Sequence, residues 1–245
     1  MSGFQEFSFG QNDENIGNKG KRAKFEEGKT YRVSFVWWEG LDADKPEMGD
    51  ADNPVAPKFV GAPIHYIQGV GYVVNKGPEY TKLAGSPPKT RVATAVIMWP
   101  TDKMGDVDKS RLMGGEAEVM PWVFSADKYK SLQQIHKEFN FGMHDITITC
   151  TEAKFQKLTF SPCKENLLRK LMESDKAKEL VTKMIDAAKQ VVSSIQGEVG
   201  REMTIEQVKD KLAGGTGATA GGGGATAPST ATTGEIDDLV DDLLD

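Results

Sequence analysis

Basic and aromatic side chains are interleaved along much of this chain. Lys58 stands beside Phe59, Tyr66 and Tyr72 precede Lys76, and Tyr80 precedes Lys82. Lys89 and Arg91 lead to Trp99, Trp122 and Phe124 lead to Lys128, Tyr129 and Lys130, and Lys154, Phe155, Lys157 and Phe160 follow. These two residue types are what a single-stranded nucleic acid needs. Unstacked bases lie on aromatic faces, worth roughly 1–3 kcal/mol each, while Lys and Arg follow the phosphates. A duplex hides its base faces, so such a surface prefers single strands.

The elements that must position these groups are mostly strands. KTYRVSFVWW (29–38), opened by Gly28, alternates so that Tyr31, Val33, Phe35 and Trp37 share one face. Arg32, Ser34, Val36 and Trp38 share the other, which makes Arg32 and Trp38 candidate strand-binding residues. A second β region spans 58–74, with Gly69 and Gly71 suggesting a bulge or bend, and a basic, turn-rich connection covers 75–89. RVATAVIMW (91–99) is a strong strand stopped by Pro100, and EAEVMPWVF (116–124) is strand-like, with Pro121 suggesting an edge or a bulge. Ser125 is placed to cap a helix over 126–139, and 145–151 with 154–162 read as a final hairpin.

Five or six short strands with one inserted helix predict a mainly β fold with α elements, a small Greek-key barrel of the OB type. Beyond Pro162 the pattern turns helical. Leu167, Leu168, Leu171 and Met172 make one stripe, and the series from Leu180 to Ile195 makes another. A last helix, 203–212, is capped by Thr204. The expected organisation is an arm at 1–27, the barrel core at 28–163, a helical segment at 164–212, a linker at 213–234 and a tail at 235–245.

The linker is Gly, Ala and Thr without a charged or large apolar residue, so it predicts a flexible coil. The tail reads Glu235, Ile236, Asp237, Asp238, Leu239, Val240, Asp241, Asp242, Leu243, Leu244, Asp245. Its aliphatics fall at i, i+3, i+4, i+7 and i+8, one face of a potential helix. The formal net charge of the chain is −6, and the tail carries all of it. The body is therefore neutral, with a basic stretch at Lys19, Lys21, Arg22, Lys24, Lys29 and Arg32. Two cysteines, Cys150 and Cys163, suit a reducing compartment, and neither a signal peptide nor an 18-residue apolar run is legible. The expectation is a cytoplasmic protein without a membrane partner.

Enzyme signals are weak. No P-loop, nucleophile elbow or HExxH string occurs, and the glycine runs at 214–217 and 221–224 have no following Lys. Asp42, Asp44, Asp50 and Asp52 would suit Mg²⁺ in a nuclease but sit together in a loop with no partner His. His144 and Asp145 are strand neighbours pointing to opposite faces, not a dyad.

The order EEGKTYRVSFVWW, APIHYIQ, VATAVIMWP, PWVFSADKYKSLQQI and HDITITCTEAKFQKLTFSP, followed by an acidic tail, resembles the single-stranded DNA-binding proteins of T-even bacteriophages. The resemblance covers residues 20–162 and the tail. It implies an OB core gripping DNA, an N-terminal arm for self-association along DNA, with Lys19, Lys21, Arg22 and Lys24 as the basic arm, and a tail that recruits replication proteins such as polymerase, helicase or primase. The chain departs from the family in two places. The family's short basic arm motif is not cleanly matched. The family also holds zinc through a His and clustered Cys, whereas residues 65–91 contain no Cys. Cys150 and Cys163 lack CxxC spacing and meet His65 only through a tertiary coincidence, so neither zinc nor another cofactor is expected.

The expected function is non-enzymatic single-stranded DNA binding in phage replication, recombination and repair, in the host cytoplasm. The expected DNA-binding residues are Arg32, Trp38, Lys58, Tyr66, Tyr72, Lys76, Lys89, Arg91, Trp99, Trp122, Lys128, Lys130, Lys154, Phe155 and Lys157. An annealing or recombination-mediator protein, a metal-dependent nuclease and a protein-only adaptor are the rival readings.

Overall fold

One strand organises the molecule. In the computed structural model, which describes residues 22–44, 46–50, 52–102, 105–152 and 157–214, β4 (Lys89–Trp99) is buried on both faces along most of its length. Its sequence is accordingly a near-continuous apolar run instead of an alternation. Val92, Val96 and Met98 enter one core, while Ala93, Ala95, Ile97 and Trp99 enter another.

The sheet is antiparallel, open and seven-stranded. β1 (Thr30–Phe35) and β2 (Val60–Ile67) pair successive halves of one side of β4, and β5 (Glu118–Ser125) pairs the other side. β3 (Gly71–Val74) extends the sheet beyond β2, while β6 (Ile146–Glu152) and then β7 (Lys157–Pro162) extend it beyond β1. The expected five or six strands become seven because the region 58–74 is a complete hairpin. Gly69 and Gly71, with φ of 84° and 100°, build the turn between β2 and β3.

Two helices went unread within the loops. α1 (Pro78–Ala84) has Pro at its first position and Gly85 in the left-handed conformation at its end, and α2 (Lys109–Met113) starts from Asp108, whose side chain accepts from the Arg111 N–H. α3 (Ala126–Glu138) follows β5 directly. Ser125 occupies its N-cap position, yet its side chain makes no capping bond. α4 (Leu167–Met172) is capped by Asn166, and a 3₁₀ turn (Asp175–Ala177) leads into α5 (Lys178–Val199). α6 (Ile205–Gly214) opens with a reciprocal cap: Thr204 Oγ1 accepts from the Gln207 N–H at 3.3 Å, and Gln207 Oε1 accepts from the Thr204 N–H at 2.7 Å.

The 22-residue α5 lies over the face of β4 that carries Ala93 and Ala95, where small side chains let a helix come close. Met184, Ile185, Ala188, Ile195 and Val199 fill that core with Leu167, Leu168 and Leu171 from α4. The second core lies on the opposite face. There β5 and β7, at the two ends of the path β5-β4-β1-β6-β7, bring Trp122 and Phe160 to 6.0 Å between ring centroids. Phe25, expected in a polar arm, is instead 2 % exposed in this core, edge-on to Trp122 and Tyr31. The Ala23 N–H donates to the Pro121 carbonyl, and the Gly28 N–H donates to that of Cys150. Residues 22–28 thus bridge β5 to β6, so this described end of the arm is part of the fold. A third, smaller core places Tyr80 of α1 and Met203 and Val208 beneath the β2–β3 hairpin.

α3 ends beside a pH-sensitive contact. His136 Nδ1 accepts from the Phe141 N–H at 3.1 Å, its ring lies 4.9 Å from that of Phe141, and burial holds its pKa below the ordinary 6.5. The unfolded chain takes up a proton near that value while the folded one resists it. This contribution to stability is therefore present above about pH 6.5 and is lost as the pH falls. The melting temperature is expected to drop more between pH 7 and pH 5 in the wild type than in His136→Gln. Parallel profiles would reject the assignment.

Candidate nucleic-acid interface

A groove of about 1390 Å³ crosses the molecule from the β2–β3 turn to the far end of β4. Arg91 and Trp99, which both line it, are eight residues apart on β4, a span of about 27 Å at the usual strand rise. The arm supplies Arg22 and Lys24, β1 and its approach supply Lys29 and Tyr31, and the end of α5 supplies Glu198.

Two tyrosines stand at one end. Tyr66 and Tyr72 are opposite one another on β2 and β3, 60 % and 42 % exposed, with rings 5.2 Å apart and edge to face. The Arg91 guanidinium lies 4.1 Å from the centroid of the Tyr72 ring, a cation–π contact, and donates to the Val199 carbonyl at 3.2 Å. This arrangement sets a planar cation of β4 beside the aromatic face and the second exposed ring of the β2–β3 hairpin.

Charge is uneven along the groove. Six bases and six acids line it. At the tyrosine end Arg22, Arg91 and Arg201 face one acid, Glu198, which is ion-paired with Arg22. At the far end Arg111 stands among Asp102, Asp108, Glu116 and Glu118, and is bound to Glu116 at 2.7 Å. Between the two, Lys29 pairs with Glu26 at 2.7 Å, which holds its ammonium pKa above the ordinary value. The tyrosine end is the one that attracts a polyanion.

The three expected stacking tryptophans are core residues. Trp38, Trp99 and Trp122 are each 2–3 % exposed, which leaves no ring face for a base. Trp38 lies beyond the end of β1, and with Val36 it belongs to the first core. Arg32 is also taken: its Nε donates to Asp145 at 2.8 Å and its guanidinium to the Glu165 carbonyl at 3.3 Å. Lys58 and Lys128 are half-buried, and burial lowers the Lys128 pKa. Lys89 and Lys130 are exposed, while Lys76 pairs with Glu202 and Lys157 with Glu152.

Of the expected contact residues, Tyr72 and Arg91 line one end of the groove and the buried Trp99 the other, and Arg22 and Lys24 of the arm also line it. Tyr66 adjoins it through Tyr72. Lys29, Tyr31, Arg111 and Arg201 join the wall without having been singled out as binding residues; Arg201 follows a long helix and is brought to β3 only by its bridge to Val73. Lys19, Lys21, Lys154, Phe155 and the tail 235–245 lie outside the described residues.

The acidic loop is a local structure. Asp50 Oδ1 accepts from the N–H groups of Asp52 and Asn53 at 3.0 and 2.8 Å. Among the described residues no three His, Cys, Asp or Glu are grouped as metal ligands. His65 is buried, with Nε2 at 3.2 Å from Thr81 Oγ1, and Cys150 and Cys163 are free thiols. No described helix is long and apolar enough to cross a membrane. No family model, no curated protein and no solved structure matches the chain.

Proposed function

We propose that the protein binds single-stranded DNA in this groove, without chemistry of its own, in replication, recombination and repair. The observation that carries the reading is the exposed Tyr66–Tyr72 pair with Arg91 stacked on Tyr72 at the mouth of the groove. Exposed rings beside guanidinium groups are the minimal unit that accepts a base and its phosphate together. The path β5-β4-β1-β6-β7, curled round one core without a described β5–β7 ladder, supports an OB-type, partly open barrel. The resemblance to the T-even phage proteins points the same way. It assigns self-association along DNA to the N-terminal arm and recruitment of replication proteins to the acidic tail, in the host cytoplasm.

Anisotropy titration with labelled oligo-dT tests the reading. Binding is expected to oligo-dT over duplex, with affinity falling as salt rises, by a log–log slope of about −0.7 per phosphate neutralised. Deleting residues 235–245 should tighten binding, most at low salt where the six tail charges are least screened. No binding to oligo-dT at any salt would reject the function. Equal low-salt affinities with and without the tail would reject only the idea that the tail competes with DNA for the groove.

A further inference from the structure

The groove already contains a carboxylate where a phosphate would sit. Glu198, in the last turn of α5, is ion-paired with Arg22 Nε, and its side chain is only 12 % exposed while that of Arg22 is 41 % exposed. Arg22 in turn lies close enough to Arg91 to lower its pKa, second only to burial in that effect, and Glu198 acts in the opposite sense. Two guanidinium groups beside one another repel, and a single anion between them relieves that repulsion. Glu198 supplies the anion in the unoccupied groove. Its backbone neighbour Val199 accepts from Arg91, so the end of α5 positions both arginines.

We propose that Glu198 is a gate residue for the anchoring phosphate: it holds Arg22 beside Arg91 in the empty groove and is displaced from Arg22 by a phosphate of the strand whose base lies on Tyr72. This rests on the single-stranded DNA reading and deepens it, because it fixes where the first phosphate binds and what it must replace. A groove whose best cation is already paired binds more weakly than its arginines would allow, and with a shallower salt dependence. The gate thereby disfavours short or sparse anions, which cannot repay the lost ion pair by stacking as well.

The test uses the full chain, with Glu198→Gln, Arg22→Ala and the double variant, each checked by circular dichroism and by its melting temperature. Glu198→Gln keeps the side chain's shape and removes its charge. It is expected to bind labelled oligo-dT about 3- to 10-fold more tightly at low salt, with a log–log salt slope steeper by up to about 0.7, because no displaced carboxylate is left to take up a counterion against the one the phosphate releases. In the Arg22→Ala background the same substitution should gain much less, since no paired cation remains to be released. Affinity unchanged or weakened by Glu198→Gln overturns the gate, as does an equal gain with and without Arg22. A wild-type chain that binds no oligo-dT overturns the single-strand reading itself, a result distinct from either of these.

Discussion

Replacing Asp145 by Ala is expected to destabilise the protein by about 3–5 kcal/mol, the usual cost of breaking a buried ion pair from one side. Asp145 is fully buried at the start of β6. Its carboxylate accepts from Arg32 Nε at 2.8 Å, from the Ser34 hydroxyl, and from the Leu167 N–H at 3.0 Å at the first position of α4. Ser34 Oγ accepts in turn from Trp99 Nε1 at 2.7 Å, so the network joins β1, β4, β6 and α4. Burial pushes the Asp145 carboxyl above its ordinary pKa, against the pull of Arg32, Ser34 and Leu167. Removing it strands the Arg32 guanidinium, whose side chain is 14 % exposed, and orphans a helix N-terminal N–H. Urea unfolding should show a lower midpoint with an unchanged slope. The double variant Asp145→Leu/Arg32→Met should recover only the part of the loss that comes from the stranded guanidinium, since the Leu167 N–H and the Ser34 hydroxyl stay without their acceptor. A loss below about 1 kcal/mol would place the pair among solvent-screened bridges and reject the clasp.

Particular residues show what was legible in advance. The apolar run of β4 and Thr204 as the cap of α6 are local signals, and each produces its element where the pattern places it, whereas Gly69 and Gly71, which suggest a bulge or bend, form a hairpin turn between two strands. The reading fails where two distant segments decide the outcome. Alternation separates Val33 and Phe35 from Ser34 and Val36, but β1 ends at Phe35, and Trp37, expected on the face of Phe35, packs against the first core beside Val36 and Trp38. Only α4 and α5, some 130 residues later, determine that this second face is buried too. Asp145 reads locally as the neighbour of His144, while its partner Arg32 is 113 positions away. The groove joins residue 22 to residue 201, a closure with no signature at any short spacing. Composition names the residue types of the candidate site, and topology selects which of them line the groove.

That selection changes which substitutions should matter for binding. Tyr66→Ala and Tyr72→Ala are each expected to cost about 1–3 kcal/mol of oligo-dT affinity, roughly 5- to 150-fold, the range for loss of one base–aromatic stack. Both rings are exposed, so their loss should leave the melting temperature nearly unchanged. Trp122→Ala should do the reverse. Its ring contacts Phe25, Phe35, Phe124 and Phe160 within the second core, and its truncation should cost about 3–5 kcal/mol of stability. Any effect of Trp122→Ala on DNA would follow from unfolding. Buried tryptophans also make intrinsic tryptophan quenching a poor reporter here, so a label on the oligonucleotide is the appropriate probe. Arg91→Ala should weaken binding through both charge and the Tyr72 platform, and Tyr72→Phe should preserve affinity, since stacking needs the ring and not the hydroxyl. Full affinity in a Tyr66→Ala/Tyr72→Ala chain would move the strand off this hairpin. The half-buried Lys58 and Lys128 and the exposed Lys130 would then be the cations to examine, because they lie outside the groove wall that the tyrosine end defines.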